Sequence, residues 1–206
     1  MTHARRLWPA VLMSGVALLA GVGAWTGAVP GVFSGAPVSS NGDVQCTSGV
    51  LVPGTYRDVE VPSGDSCTID SSDVITHDVR VDSNASLEDM GASIGHDLRA
   101  GDGSQLHVSP SGGYTASNAS IGHDLDADRA STVEVTAATI ASDLRVKKSQ
   151  ESVSITDNKV GNNLDVKDNN GSTTVTGNTI GHNAKCEKNA SFTGGGNTAG
   201  GKDTCN

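Results

Sequence analysis

The sequence predicts an all-β protein, a single-domain parallel β-helix of about seven coils with about 20 residues each. Three observations support this fold class. A short sequence motif recurs along the chain at a nearly fixed period, apolar residues alternate with polar ones in short runs, and aromatic residues make up only 3% of the composition.

The repeat is clearest in one short sequence motif. "ASIGHDLRA" at 92–100 returns as "ASIGHDLDA" at 119–127 and as "NTIGHNAKC" at 178–186. The first apolar residues of the successive repeats are separated by 19, 27, 19, 20 and 20 positions, and they are Ile75, Ile94, Ile121, Ile140, Val160 and Ile180. A period near 20 residues is typical of solenoid architectures.

The apolar residues that follow each of these positions alternate with polar ones, which indicates strands and not helices. Four residues further on come Val79, Leu98, Leu125, Leu144, Leu164 and Ala184. Gly, Asn, Asp and Ser separate the runs and favour turns. Short strands that recur once per coil stack in parallel, about 4.8 Å apart. We expect a right-handed solenoid, the usual hand of parallel crossovers; the alternative is a β-sandwich whose repeats are coincidental.

The one step of 27 residues contains an insertion. The segment "SPSGGYTASN" (109–118) is rich in Ser and Gly and is expected to protrude as a loop. Tyr114 is its only aromatic residue, which makes the loop a candidate for interaction with a partner. The alternative is that Tyr114 folds back onto the coil.

The four cysteines form two pairs whose spacing is close to one coil, 21 residues from Cys46 to Cys67 and 19 from Cys186 to Cys205. An even number of cysteines in an exported chain indicates disulfides. Because stacked coils bring such residues together, we expect the bonds Cys46–Cys67 and Cys186–Cys205, one near each end of the solenoid.

Residues 1–40 are interpreted as an export signal and a short linker, and residues 41–206 as the β-helix domain. Arg5 and Arg6 precede an apolar run from Leu7 to about Val29, which is the pattern of a signal peptide. Cleavage is expected between about residues 28 and 40, giving a secreted protein. The alternative is an uncleaved membrane anchor, for which the run is long enough.

The charge of the remaining chain is strongly acidic. All 23 acidic residues and twelve of the 14 Lys and Arg residues follow the signal, so its net charge is −11. An acidic surface repels phosphate backbones, which argues against nucleic-acid binding. We expect no cofactor, and contact with a membrane only through the export signal.

The repeats "SITDNKVGNNLDVKDNNGSTTVTGNTIGHNAKCEKN" (154–189), the ending "GGGNTAGGKDTCN" (194–206) and "VPSGDSCTI" (61–69) show a further likeness. They resemble a group of small exported proteins of actinomycete bacteria with Ile-Gly-Gly-Asn-Leu-type repeats. That resemblance covers about residues 44–206 and implies a parallel β-helix, but it implies no particular function. The chain departs from the group's Gly-Asn usage by placing His-Asp in several coils.

The His-Asp pairs are the sequence's candidate site, and they fall at one corner of successive coils. The alternative to a structural corner is a metal site that would draw on His77, Asp78, His96, Asp97, His123 and Asp124. Imidazole and carboxylate groups together bind transition metals. A column, however, spreads its ligands along a line. We therefore expect a structural role, in which Asp and Asn form turns, and no bound metal.

The function expected from these features is that of a non-catalytic secreted scaffold or adhesion-type protein. Its partners would be a cell-envelope or extracellular polymer, or another copy of itself. The main alternative is a polysaccharide lyase or hydrolase on a β-helix, with Asp97 and Asp124 as candidate carboxylates. A more remote alternative is ice or surface binding through the threonines Thr136, Thr156 and Thr176, which recur every 20 residues.

Overall fold

Three parallel β-sheets of eight strands each wind into a β-solenoid of about seven turns. The computed structural model describes residues 42–47, 49–110 and 118–206, all within the unit Ser34–Asn206. The predicted all-β parallel fold is therefore confirmed. The residues predicted to form an export signal with its cleavage site, and Tyr114, lie outside the described residues. Among the described residues, no helix is long and apolar enough to cross a membrane.

Each coil contributes one strand to each sheet, and the strands are numbered β1 to β24 in chain order. Sheet A contains β1 (Val44–Gln45), β4 (Val59–Val61), β7 (Val79–Val81), β10 (Leu98–Ala100), β13 (Leu125–Asp128), β16 (Leu144–Lys147), β19 (Leu164–Lys167) and β22 (Ala184–Glu187). Sheet B contains β2 (Gly49–Val50), β5 (Ser66–Asp70), β8 (Ser86–Met90), β11 (Gln105–Val108), β14 (Thr132–Thr136), β17 (Ser152–Thr156), β20 (Ser172–Thr176) and β23 (Ser191–Gly195). Sheet C contains β3 (Thr55–Tyr56), β6 (Val74–Ile75), β9 (Ser93–Ile94), β12 (Ser120–Ile121), β15 (Thr139–Ile140), β18 (Lys159–Val160), β21 (Thr179–Ile180) and β24 (Thr198–Ala199).

The repeated apolar residues form columns through the interior. In sheet C, Ile94 pairs with Ile121 and Ile121 with Ile140, and the column is buried from Ile75 to Ile180. In sheet A, Leu98 pairs with Leu125, and these two residues belong to another interior column. Alternation places every second side chain inside, so each coil buries its apolar residues against the coils above and below. The narrow interior is filled by Val, Ile, Leu and Ala, which explains the scarcity of aromatic residues.

Buried asparagines form a second stabilising column, at the turn between sheets B and C. The Oδ1 atom of Asn158 accepts the backbone N–H of Ala138 at 2.9 Å, and that of Asn178 accepts the N–H of Asn158 at 2.9 Å. The Nδ2 atom of Asn178 donates to Oδ1 of Asn197 and to the carbonyl of Ile155, both at 2.9 Å. This amide ladder satisfies turn N–H groups that the strand pairing leaves without partners.

Both predicted disulfides are confirmed, one near each end of the solenoid. The Cα atoms of Cys46 and Cys67 are 5.7 Å apart, and those of Cys186 and Cys205 are 5.0 Å apart. The second bond anchors the C-terminal tail across the last coil, where Thr204 donates its backbone N–H to the carbonyl of Ala184 at 2.9 Å. The tail therefore covers an edge that would otherwise expose unpaired strand groups.

Candidate functional site

The His-Asp pairs lie at the corner where each coil passes from sheet C to sheet A. Each corner spans the short turn between a sheet C strand such as β9 and the following sheet A strand, here β10. The pairs stack because their coils are in register, so that the N–H of His96 donates to the carbonyl of His77 and the N–H of His123 to that of His96, both at 3.0 Å.

The second residue of each corner is Asp or Asn because its side chain bonds the next coil. Oδ1 of Asp78 accepts the backbone N–H of Asp97 at 3.1 Å, and Oδ1 of Asp97 accepts that of Asp124 at 3.0 Å. The same bond joins Asp124 to Asp143 at 3.0 Å and Asp143 to Asn163 at 2.9 Å. Asp and Asn also tolerate a left-handed backbone. That tolerance is not why they occur here, since none of these residues has a positive φ angle. What the second residues form is a hydrogen-bonded ladder between coils.

Two arginines bridge the stacked carboxylates in pairs. Arg99 contacts Asp97 and lies 3.4 Å from Asp78, and Arg145 contacts Asp143 and lies 2.9 Å from Asp124. Burial acts to raise the pKa of Asp97, but the N–H of Asp124, the ring of His123 and Arg99 together hold this pKa below its usual value. The balance is the same for the pKa of Asp124, where burial is outweighed by the N–H of Asp143 and by Arg145. Asp97 and Asp124 therefore favour the ionised form.

Two of the histidines form a stacked pair. The rings of His96 and His123 have centroids 4.9 Å apart and planes within 8° of parallel. Nδ1 of His123 lies 2.8 Å from Oδ1 of Asp97, and this hydrogen bond is the main cause of the raised pKa of His123. Nδ1 of His96 lies 3.0 Å from Oδ1 of Asp78 and 3.3 Å from Oδ2 of Asp97.

Only three of the six candidate metal ligands converge. One donor atom from each of His96, Asp97 and His123 lies within 4.8 Å of the others. His77 stands apart, with its Nδ1 atom 3.2 Å from the hydroxyl of Thr76. Asp124 is tied to Arg145, and its Oδ1 atom is 3.7 Å from Nδ1 of His123. The expectation that a column spreads all its ligands along a line is therefore too simple for these three.

The outer surface of sheet A is the second notable feature, and we call it the charged face. Its outward positions include Arg80, Arg99, Asp126, Arg145, Lys147, Asp165, Lys167 and Lys185. Within the described strands, Lys159 in sheet C is the only other lysine or arginine. Six of the twelve lysines and arginines among the described residues thus lie on the strands of one sheet, and five others lie in turns. The arginines were not singled out from the sequence, although their recurrence one residue after the buried Leu was a visible signal.

Charges of opposite sign alternate along one row of this face, whereas Arg80 pairs with Arg99 and Lys147 pairs with Lys167. Arg99 pairs with Asp126, Asp126 with Arg145, Arg145 with Asp165 and Asp165 with Lys185 in the strand register. Shallow hollows open between the side chains, one beside Arg80, Arg99 and Asp126 and another beside Arg145, Asp165 and Lys185. The face is therefore grooved and polar, and it runs along the solenoid axis.

The threonines considered for surface binding do align. Thr136 pairs with Thr156 and Thr156 with Thr176 at the end of the sheet B strands. The following outward column, in sheet C, is interrupted by Lys159 between Thr139 and Thr179. The threonines therefore form one short row and not a broad array.

No protein-family model matches the chain, and neither the curated proteins nor the solved structures contain a match to it.

Proposed function

We propose that the protein is a non-catalytic, secreted interaction protein whose charged face binds an extended extracellular polymer. The concentration of lysine and arginine on sheet A is the observation that supports this proposal most directly. Charges that served only to keep the protein soluble could be distributed over all of its faces. Among the strands, the concentration of lysine and arginine on one grooved sheet favours recognition of a partner.

The spacing of the charges suits an extended chain molecule. Neighbouring strands lie about 4.8 Å apart, so charges of like sign on alternate coils recur every 10 Å or so along the face. Arg99, Arg145 and Lys185 form such a series, with Asp126 and Asp165 between them. A polysaccharide with a repeating disaccharide presents hydroxyl, carboxylate or amine groups at a comparable interval. The polymer can therefore bond to several coils in succession.

The corner carboxylates support a non-catalytic role. A glycosidase needs one carboxyl group that stays protonated near neutral pH to serve as general acid. The pKa values of Asp97 and Asp124 are shifted downward, and both side chains already bond backbone N–H groups and arginines. Burial raises the pKa values of Asp73, Asp89 and Asp126. The side chains of Asp73 and Asp89 are enclosed in the interior, and Asp126 lies between Arg99 and Arg145 in the strand register, where cations oppose its protonation. Turnover of a polyuronate or another polysaccharide by the purified protein would overturn this part of the proposal.

The disulfides fit an extracellular location. Two structural disulfides and no free cysteine among the described residues are typical of proteins that fold in an oxidising compartment. The proposed export signal in residues 1–40 would bring the chain there, and N-terminal sequencing of protein from the culture medium tests it. A mature chain that begins between residues 29 and 41 supports it, and an intact N-terminus contradicts it.

The binding experiment compares two double variants with the same change in charge. Arg80→Glu with Lys185→Glu reverses two exposed cations of the charged face. Lys159→Glu with Lys188→Glu reverses two cations elsewhere and serves as the control. In co-sedimentation with envelope and extracellular polysaccharides, we expect the first variant to bind about tenfold or more weakly, the equivalent of about 1.4 kcal/mol, and the control to bind normally. Equal binding by both variants, or no binding by the wild type to any polymer, would contradict the proposal.

A further inference from the structure

We propose that His96, Asp97 and His123 form a binding site for Zn²⁺ or a chemically similar divalent transition metal. This inference does not depend on the polymer-binding proposal. It rests on the convergence of two imidazoles and one carboxylate at the corner between sheets C and A, where donor atoms of the three residues lie within 4.8 Å of one another.

The convergence arises because the imidazole rings lean along the solenoid axis. Each ring reaches toward the carboxylate of the preceding coil, so Asp97 receives His123 from the next coil while His96 lies beside it. The two oxygens of Asp97 divide between the two rings, with Oδ1 2.8 Å from Nδ1 of His123 and Oδ2 3.3 Å from Nδ1 of His96. The carboxylate thus lies between the ring nitrogens of two histidines that are 27 positions apart in the sequence.

These separations are close to those between neighbouring ligands of one metal ion. Zinc–nitrogen and zinc–oxygen bonds of about 2.0–2.1 Å in a tetrahedron place adjacent ligand atoms roughly 3.3 Å apart. The His123–Asp97 and His96–Asp97 contacts lie near this value. These two contacts use different oxygens of Asp97, and the donor atoms of the three residues lie within 4.8 Å of one another, so a metal would draw the rings closer to one oxygen. Because the rings of His96 and His123 are about half exposed, at 54% and 50%, small rotations about their side-chain bonds can bring them together.

The carboxylate is held in place before any metal arrives. Asp97 is 4% exposed, its Oδ1 atom accepts the N–H of Asp124 at 3.0 Å, and its Oδ2 atom contacts Arg99. Such support fixes the orientation of a ligand and reduces the entropy lost on binding. Oδ1 of Asp78, 3.0 Å from Nδ1 of His96, is the nearest further oxygen donor. A water molecule on the exposed side of the rings would be an alternative fourth ligand.

The charge and the chemistry of the cluster define the class of metal. Asp78 and Asp97 share one guanidinium, that of Arg99, which leaves an excess negative charge at the corner. Two imidazole nitrogens favour Zn²⁺, Co²⁺, Ni²⁺ or Cu²⁺. Ca²⁺ and Mg²⁺ prefer sites composed of oxygen ligands and need more of them. We therefore expect selectivity for transition metals over the alkaline earths.

The test is a titration of the tag-free protein with Zn²⁺ and with Co²⁺. Calorimetry should give one metal per chain, and the Co²⁺ form should show visible absorption of a four-coordinate ion. His96→Gln and His123→Gln should each weaken binding at least about tenfold, as even the loss of an outer-shell partner does at many metal sites. His182→Gln is the matched control, because His182 occupies the same corner position five repeats after His77, where Asn183 replaces the aspartate.

Several results would overturn the inference. No saturable binding by the wild type, or equal binding by wild type, His96→Gln and His123→Gln, would place no site at this corner. Competition by millimolar Ca²⁺ would show an oxygen-only site elsewhere. Since both histidines are exposed, their variants should keep the wild-type circular dichroism and melting temperature without metal. Zn²⁺ should raise the melting temperature of the wild type and of His182→Gln, but not that of the double variant His96→Gln/His123→Gln.

Discussion

Asp89 shows how a single residue can depart from the repeat pattern. It occupies an interior position of sheet B, paired with Ile69 on one side and Val108 on the other. Its Oδ1 atom accepts the N–H groups of Gly91 and Ala92 at 3.0 and 2.8 Å, which explains a polar residue at this position. Burial raises its pKa to about 7, because the ionised form loses its hydration inside the apolar column.

We expect Asp89→Asn to stabilise the protein at alkaline pH and to have little effect in acid. The folded protein keeps the Asp89 proton up to about pH 7, whereas the unfolded chain releases it near 3.8, the ordinary pKa of an aspartate side chain. Wild-type stability therefore falls as the pH rises between these values, by roughly 4 kcal/mol in total. Asparagine keeps the accepting oxygen and never ionises. Urea denaturation at pH 4 and pH 8 measures the difference.

The exposed residue Asp102 provides the control for this comparison. Asp102→Asn removes the same charge from the surface and should change the stability by about a few tenths of a kcal/mol, nearly equally at both pH values. A stability difference between wild type and Asp89→Asn that is the same at pH 4 and pH 8 would contradict the proposed ionisation of a buried carboxyl group.

At the scale of structural elements, the turns are stabilised by side-chain ladders. The corner ladder of aspartates and the buried ladder of asparagines both place a side-chain oxygen on the backbone N–H of a neighbouring coil. The strands stack through their own backbone groups, but a turn has no regular partner. Each ladder therefore supplies at the turns what strand pairing supplies elsewhere.

We expect Asn178→Ala to destabilise the protein by roughly 3 kcal/mol. The change removes the acceptor for the N–H of Asn158 and the donor to the carbonyl of Ile155, and both groups are buried. An unpaired buried polar group costs about 1–3 kcal/mol. Asn170→Ala is the control, since Asn170 is exposed and its amide contacts only Gln150 among the described side chains. Similar denaturation midpoints for the two variants would refute the ladder's contribution.

The sequence predicts the columns of the fold well and their polar exceptions poorly. Ile94, Ile121 and Ile140 occupy the same position in successive repeats, so their burial follows from the repeat pattern alone. Asn158 and Asn178 replace Ala119 and Ala138 at one equivalent position, and the pattern does not reveal that a large polar side chain faces inward there. The meeting of His96 with Asp97 and His123 depends on side-chain torsion angles, which a repeat period does not determine.

At the scale of the whole molecule, both ends of the solenoid need protection. A coil in the middle is stacked on two neighbours, whereas a terminal coil has only one. The Cys186–Cys205 bond and the hydrogen bonds of Thr204 close the C-terminal end. The Cys46–Cys67 bond joins the first coil to the second.

Removal of one disulfide should loosen one end of the solenoid. We expect Cys186→Ala with Cys205→Ala to cost roughly 3 kcal/mol by the loop-entropy argument, and to speed hydrogen exchange in β22 and β23 more than in β4 and β5. Cys46→Ala with Cys67→Ala should show the reverse distribution. Exchange that rises uniformly along the chain in both variants would mean that the bonds stabilise the solenoid as one cooperative unit.

The charged face is a property of the whole molecule, because its pattern of charges exists only when the coils are stacked. Chemical-shift mapping of isotope-labelled protein with a soluble fragment of a polysaccharide that it binds tests the face most directly. We predict that the perturbed amides lie in sheet A, along the row from Arg80 to Lys185, while the sheet B strands β14, β17 and β20 stay unchanged. Perturbations centred on sheet B, or on the threonine row at its edge, would contradict the assignment of sheet A as the binding surface.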